Sequence, residues 1–210
     1  MARTRSSEAH EKVIHAALAL FSERGIDSAS MDAIAAAAGV SKATIYNHWA
    51  DKEALLIEVM LHVNGVKPEP EDVDTGDLCR DLAVVLSRRP PGELNEVRVR
   101  ITPMFMAYAA VHREFGEAWR HRVMEPGRQS LKRILSRGIE RRLLPADLDL
   151  DLSIALLMGP MLYRHVLSKS LPSKLEDIGP SVAAAFCRAH LIQGAISAPA
   201  KKQQRPSRGR

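Results

Sequence analysis

The stretch Ser30 to Leu56, S-M-D-A-I-A-A-A-A-G-V-S-K-A-T-I-Y-N-H-W-A-D-K-E-A-L-L, leaves few choices of fold. Ser30 suits the N-cap of a short helix, with its hydroxyl accepting a first-turn amide and Asp32 near the positive end of the dipole. Ile34, Ala35 and Ala38 fall on one face. Gly39 stops the helix, because glycine takes the left-handed conformation that helix ends use. Ser41 caps a second helix that turns Ile45 and Trp49 inward at i,i+4 spacing. Two short helices joined by a tight glycine turn make a helix-turn-helix. The second leaves Lys42, Ala43, Thr44, Tyr46, Asn47 and His48 outward, small, hydrogen-bonding and basic groups of the kind that meet DNA edges and phosphates.

The flanks extend the pattern. Val13, Ile14, Ala17, Leu18 and Phe21 form an apolar stripe, predicting a helix from Ser7 to Arg24 closed by Gly25. Asp51 caps a fourth helix with Leu55, Leu56, Val59, Met60 and Val63 on its apolar face. Lys52 in its first turn opposes the dipole, a conflict that a phosphate would remove. The run I-A-A-A-A-G-V-S-K-A-T-I-Y-N-H-W with D-K-E-A-L-L, preceded by V-I-H-A-A-L-A-L-F-S-E-R-G, closely resembles the DNA-binding signature of the TetR/AcrR family of repressors. The resemblance spans about fifty residues. It implies an all-α protein, with an N-terminal helix-turn-helix domain and a C-terminal helical domain for ligand binding and dimerisation.

Charge locates the basic residues. The chain carries a net +5, yet residues 1–65 hold six basic side chains against eight acidic. Lys201, Lys202, Arg205, Arg208 and Arg210 supply the excess. The high isoelectric point therefore does not argue for DNA binding by the N-terminal domain. That reading rests on Thr44, Asn47 and His48 as candidates for base or near-base contacts, and on Ser30, Lys42, Tyr46 and Lys52 as candidates for phosphate. Arg3 and Arg5, on an arm expected to be unstructured, are further phosphate candidates or simply solvated.

Asn64 to Asp74, with two prolines and four acids, reads as a linker. It divides a DNA-binding domain at 1–64 from a helical domain at 75–197, with a basic disordered tail at 198–210. The second domain reads as helices punctuated by proline: Gly76 to Ser87; Glu93 onward, broken or kinked near Pro103 with Thr102 as a cap; Arg113 towards Met124, interrupted at Pro126-Gly127; a helix to about Leu143; Leu150 to Leu167, kinked at Gly159-Pro160; and Glu176 to Ile196. L-P-A-D-L-D at Leu144 and G-P-M-L-Y-R at Gly159 resemble one C-terminal subtype of the family, in which the last two helices pair with a second subunit's. Arg142 stands where that subtype often has glycine. The broad apolar faces and alanine-rich seam of these helices suit a homodimer, or burial within one large domain.

Met104, Phe105, Tyr108, Trp119, Met158, Met161 and Leu162 come from segments able to converge, as core packing or as the wall of an apolar ligand pocket. Arg164, inside an apolar helix, needs an acid partner or an anionic ligand. Catalytic motifs, metal-ligand spacings and cofactor loops are missing from the sequence, so no enzyme activity, metal or cofactor is expected. His10 and His15 share no helix face well, and His121 and His165 are read as satisfied or solvent-facing. Cys79 and Cys187, far apart and without a CxxC, read as inert thiols of a reduced, cytoplasmic protein, and no apolar run spans a membrane. The expected partners are a palindromic double-stranded DNA operator, an unidentified small effector and a second copy of the chain. A DNA-binding regulator without effector, and a helical ligand carrier or enzyme using the helix-turn-helix as scaffold, are the alternatives.

Overall fold

The computed structural model describes residues 2–66, 72–88, 92–166 and 177–192, and among these there are helices and no strand. The elements are α1 (Ala2–Arg24), α2 (Met31–Ala38), α3 (Lys42–His48), α4 (Lys52–Asn64), α5 (Leu78–Leu86), α6 (Gly92–Val111), α7 (Arg113–Trp119), a π-helical turn (Arg120–Met124), α8 (Glu125–Glu140), α9 (Leu150–Val166) and α10 (Gly179–His190). The expected basic tail, Arg3 and Arg5 as side chains, the His165 ring and the middle of the linker lie outside the described residues.

Several expected boundaries change. The arm expected to be unstructured is helical from Ala2. Pro103 neither ends nor restarts a helix: α6 runs through it, and Thr102 donates its hydroxyl to the Arg98 carbonyl at 2.7 Å instead of capping. Pro126 occupies the first turn of α8, where a proline costs no helical hydrogen bond, and the helical path from α7 passes into α8 through the π-helical turn. α9, by contrast, runs as expected as one helix with Pro160 inside it. α10 begins at Gly179, where the Asp177 carboxylate accepts the Gly179 amide at 2.9 Å, and stops at the extended Leu191. At the end of α8, Arg142 adopts the left-handed φ of 59° usual for glycine. That φ lets the Leu143 amide reach back to the Gly138 carbonyl at 2.8 Å.

Two cores organise the chain. The first joins α1 to α4 with Ile101 and Phe105 of α6 and Phe115 of α7, so it draws on residues either side of the linker. Phe21 and Phe105 meet edge-on with centroids 6.1 Å apart, and Phe105 lies 6.3 Å from Phe115. All three rings are essentially inaccessible. The second core packs α5, α8, α9 and α10 around Leu82, Leu135, Leu157 and Phe186. Arg137 and Arg141 of α8 pin the end of the linker: Arg141 grips Asp74 with two hydrogen bonds of 2.9 and 2.7 Å, and Arg137 reaches Asp72 at 2.6 Å. The Arg141 hydrogen bonds hold the Asp74 carboxyl down to about 2, so this clasp is intact across the neutral range.

The reading of two free thiols is overturned: Cys79 and Cys187 form a disulfide. α5 and α10 lie antiparallel, so the start of one faces the end of the other and the two Cα atoms stand 6.1 Å apart, within bonding range. At the opposite end Gly179 rests on the turn after Leu86; a Cβ there would come within 2.9 Å of the Leu86 and Ser87 backbone. A separation of 108 residues hides this pairing from local sequence reading.

Two outcomes follow from this packing. Under denaturing, non-reducing conditions iodoacetamide should label neither cysteine, and both after a thiol reductant; reduction should lower stability by about 2–4 kcal/mol in urea. Labelling before reduction would show the bond is not formed. Phe105→Ala, which empties the centre of the first core, should cost about 3–5 kcal/mol in the same measurement.

Candidate functional site

Local chemistry builds the outward face of the helix-turn-helix. The Ser30 hydroxyl accepts the Ala33 amide at 3.1 Å, and Ser41 accepts that of Thr44 at the same distance. Gly39, with φ 66°, ends α2 in the left-handed conformation, and the Val40 amide returns to the Ala35 carbonyl. Ile45 and Trp49 are buried, which fixes the roll of α3. Its other face presents Lys42, Ala43, Tyr46, Asn47 and His48 to solvent, with Thr44 half-buried and bonded through its hydroxyl to Ser41 at 2.8 Å. α3 is thus held by its caps and its two apolar anchors, while the groups able to read a groove remain outside.

Two cations are already engaged. Lys42 donates to Asp32 of α2 at 2.5 Å, which raises its pKa, so it stays charged while its field is partly cancelled. Lys52 donates to the Ile26 carbonyl at 3.1 Å, tying the start of α4 to the turn after α1. That carbonyl answers, within the chain itself, the conflict between Lys52 and the helix dipole. The His10 ring of α1 stands 4.8 Å from Trp49 and 5.7 Å from His48, bracing the end of α3.

A cavity of about 230 Å³ opens behind α4. Its wall combines Met60 and Asn64 of α4, Val85, Leu86 and Arg88 at the end of α5, and Arg98 and Thr102 of α6. Trp119, Val123, Met124, Gly127 and Leu131 continue it through the π-helical turn, and Met158, Met161 and Leu162 of α9 close it. Of the residues read as pocket lining, Trp119, Met158, Met161 and Leu162 are placed there. Met104, Phe105, Tyr108 and Arg164 are not: Phe105 fills the first core, and Met104 and Tyr108 pack against it. Tyr108 instead donates to Glu53 of α4 at 3.3 Å and stacks on His112 at 3.7 Å, and burial with the Glu53 charge pushes its hydroxyl pKa up. Arg164 lies on α9 beyond the lining residues.

Met60 and Asn64 escaped the sequence reading because they sit on a helix assigned wholly to DNA binding. Arg98 escaped because it alternates with apolar residues in a strand-like run. No group of histidine, cysteine, aspartate and glutamate among the described residues could hold a metal ion, and no helix among them is long and apolar enough to cross a membrane.

An all-helical chain with a capped, outward-facing recognition helix and a cavity walled by α4 together with the helices beyond the linker defines a helix-turn-helix DNA-binding regulator. Residues 13–59 match the model of bacterial regulatory proteins of the tetR family, and residues 72–177 match the tetracyclin repressor-like C-terminal domain. The transcriptional regulator YdeS of Bacillus subtilis is 30% identical over 79% of this chain and 82% of its own. Among solved structures, a TetR-family regulator of Mesorhizobium loti superposes with a TM-score of 0.60 at 25% identity, covering 90% of this chain and 99% of that one. The flavonoid-responsive regulator FrrA does so with 0.62 at 22% identity, covering 89% and 99%. The chain belongs to the TetR family of bacterial transcriptional regulators, a family of DNA-binding proteins rather than of enzymes.

The pair between Lys42 and Asp32 makes a test. Asp32→Asn should tighten binding to operator and random duplexes alike, by about three- to tenfold at low salt. Asn47→Ala should cost about 1–3 kcal/mol on the operator and less on random DNA. Fluorescence anisotropy across a salt series reads both. Weaker binding by Asp32→Asn would mean that the aspartate positions Lys42 rather than masks it.

Proposed function

We propose that this regulator is a ligand-responsive repressor. It acts as a homodimer on a palindromic operator, with 1–64 as the DNA-binding unit and 75–197 as the effector and dimerisation unit. The observation that carries this reading is the shared wall: α4 contributes Met60 and Asn64 to the cavity, and its first turn follows the end of α3 after three residues. A molecule in the cavity therefore presses on the helix to which the recognition helix is joined by three residues. It releases DNA to the extent that it binds one dimer geometry better than the other. Ser30, Lys42, Ala43, Thr44, Tyr46, Asn47, His48 and Lys52 form the DNA face. With DNA as its partner, its place of work is the cytoplasm.

Dimerisation is supported by α9, where Leu152, Leu156 and Tyr163 are each at least half exposed and lie on one face at spacings of four and eleven. Phe186 of α10 takes no part in such a face, because it is buried in the subunit's own second core and stacks on His190 at 4.3 Å.

Leu156→Glu is expected to halve the mass seen by light scattering at micromolar concentration, whereas an unaltered dimer would remove α9 from the interface. Deletion of the gene should raise transcription of the genes beside it, and a fall would exclude repression. Gly127 lines the cavity with open space where a Cβ would project. Gly127→Leu should therefore fit without a clash, narrow the cavity and keep the operator complex bound under conditions that release the wild type.

A further inference from the structure

The bond between Cys79 and Cys187 is out of place as a permanent staple in a protein that works in the cytoplasm. Thiol pools there keep cysteines reduced, and the disulfides that do form are mainly transient, catalytic or redox-sensing. The two sulfurs also differ in access. Cys79, the second residue of α5, is half-buried, whereas Cys187, in the last turn of α10, is 3% exposed. A small thiol or disulfide in solvent therefore meets one partner and not the other. The helices around the pair have holds of their own. The Asp77 carboxylate caps α5 by accepting the Cys79 and Arg80 amides at 2.9 and 3.1 Å. Thr75 gives the buried Asp81 carboxylate its amide and hydroxyl protons at 2.8 and 2.6 Å. Leu82 of α5 and Ala183 and Phe186 of α10 lie in the second core. Opening the bond thus leaves both helices packed and frees only the first turn of α5 from the end of α10. α5 has nine residues, too few to be stable alone, and its other end, Val85 and Leu86, lies in the cavity wall.

We propose that Cys79 and Cys187 form a reversible redox site that exchanges with low-molecular-weight thiols and disulfides, Cys79 as the point of entry and Cys187 as the resolving partner, and that its state sets how firmly α5 holds its side of the cavity. In the oxidising direction the Cys79 thiolate attacks one sulfur of a small disulfide and expels one small thiolate, leaving Cys79 in a mixed disulfide. The Cys187 sulfur, its proton given up to solvent, then attacks the Cys79 sulfur, closes the protein bond and expels the second small thiolate. The protons released by the two cysteines end on the two small thiols. Two electrons pass from the protein to the small disulfide, and reduction runs the same path backwards. The regulatory use of this chemistry rests on the reading of the protein as a cytoplasmic regulator with the cavity as its effector site.

The full-length native protein, equilibrated in glutathione buffers of stepped composition, quenched with acid and tagged with a maleimide, reports the fraction oxidised. That fraction should fall from nine-tenths to one-tenth over about a hundredfold rise in the ratio of squared thiol to disulfide, along one curve from either starting state. A bond that survives millimolar reduced glutathione in the native protein and yields only in urea is a fixed staple, and overturns the proposal. In the reduced native wild type, iodoacetamide should alkylate Cys79 about tenfold faster than Cys187, and Cys187→Ser should take up one glutathione where Cys79→Ser takes up none. The opposite order would remove Cys79 as the point of entry, and the wild-type rates decide this even if a variant fails to fold. Amides in the last turn of α5 should exchange hydrogen about tenfold faster in the reduced protein than in the oxidised. Equal rates would overturn the link to the cavity. None of these readings uses operator or effector, so their failure leaves the repressor reading standing. A gene deletion that does not raise transcription removes only the regulatory use of the redox site.

Discussion

The enclosure of α4 is the constraint on which the molecule depends. Leu55, Leu56, Ile57, Val59, Met60 and Val63 are all buried, and at 100° per residue they cover roughly 200° of its circumference. A helix apolar over so wide an arc cannot rest on one partner. α1 covers one side, while α6, α7 and the π-helical turn cover another, and the aromatic group of Phe21, Phe105 and Phe115 fills the junction. The DNA-binding helices are therefore built onto the bundle, not suspended from it. Glu53 adds a polar tie, accepting from Tyr108 and lying 3.8 Å from the His112 ring.

This arrangement gives the proposed response a short route. The cavity and the recognition helix are separated by one helix, with Met60 and Asn64 towards the ligand and the Asp51 cap next to α3. A displacement of α4 by a fraction of a turn changes the spacing of two recognition helices across a dimer. The ligand need distinguish two packings of a single helix, and closely packed cores respond to such pressure by switching arrangement rather than by stretching.

What the sequence disclosed was what local chemistry decides. Ser30, Ser41 and Asp51 cap the helices they were expected to cap, and Gly39 closes α2, because each acts on amides or carbonyls within four residues. The prolines misled because their effect depends on context. Pro126 sits in a first turn that needs no N–H, and Pro103 lies within a helix that continues past it, as Pro160 was expected to and does. The cavity was half legible. Trp119, Met158, Met161 and Leu162 carried a compositional signal, while Met60 and Arg98 belonged to elements whose other duties were more obvious. The disulfide left no signal, since only the antiparallel packing of α5 on α10 brings its halves together.

That bond gives the covalent chain the shape of a ring with a long open arm. Residues 79 to 187 are closed into a loop containing α6 to α9, and with them nearly the whole cavity wall, while the helix-turn-helix sits on the arm. A single backbone cut within the ring leaves one covalent molecule as long as the bond is oxidised. A cut in the arm severs the covalent link to the DNA-binding helices, which then hold on through the first core alone. The same topology makes unfolding unequal: the ring loses conformational freedom to gain only up to its own closure, whereas the arm is tethered at one end alone. The part of the protein proposed to sense a ligand is thus covalently better preserved than the part that acts on DNA.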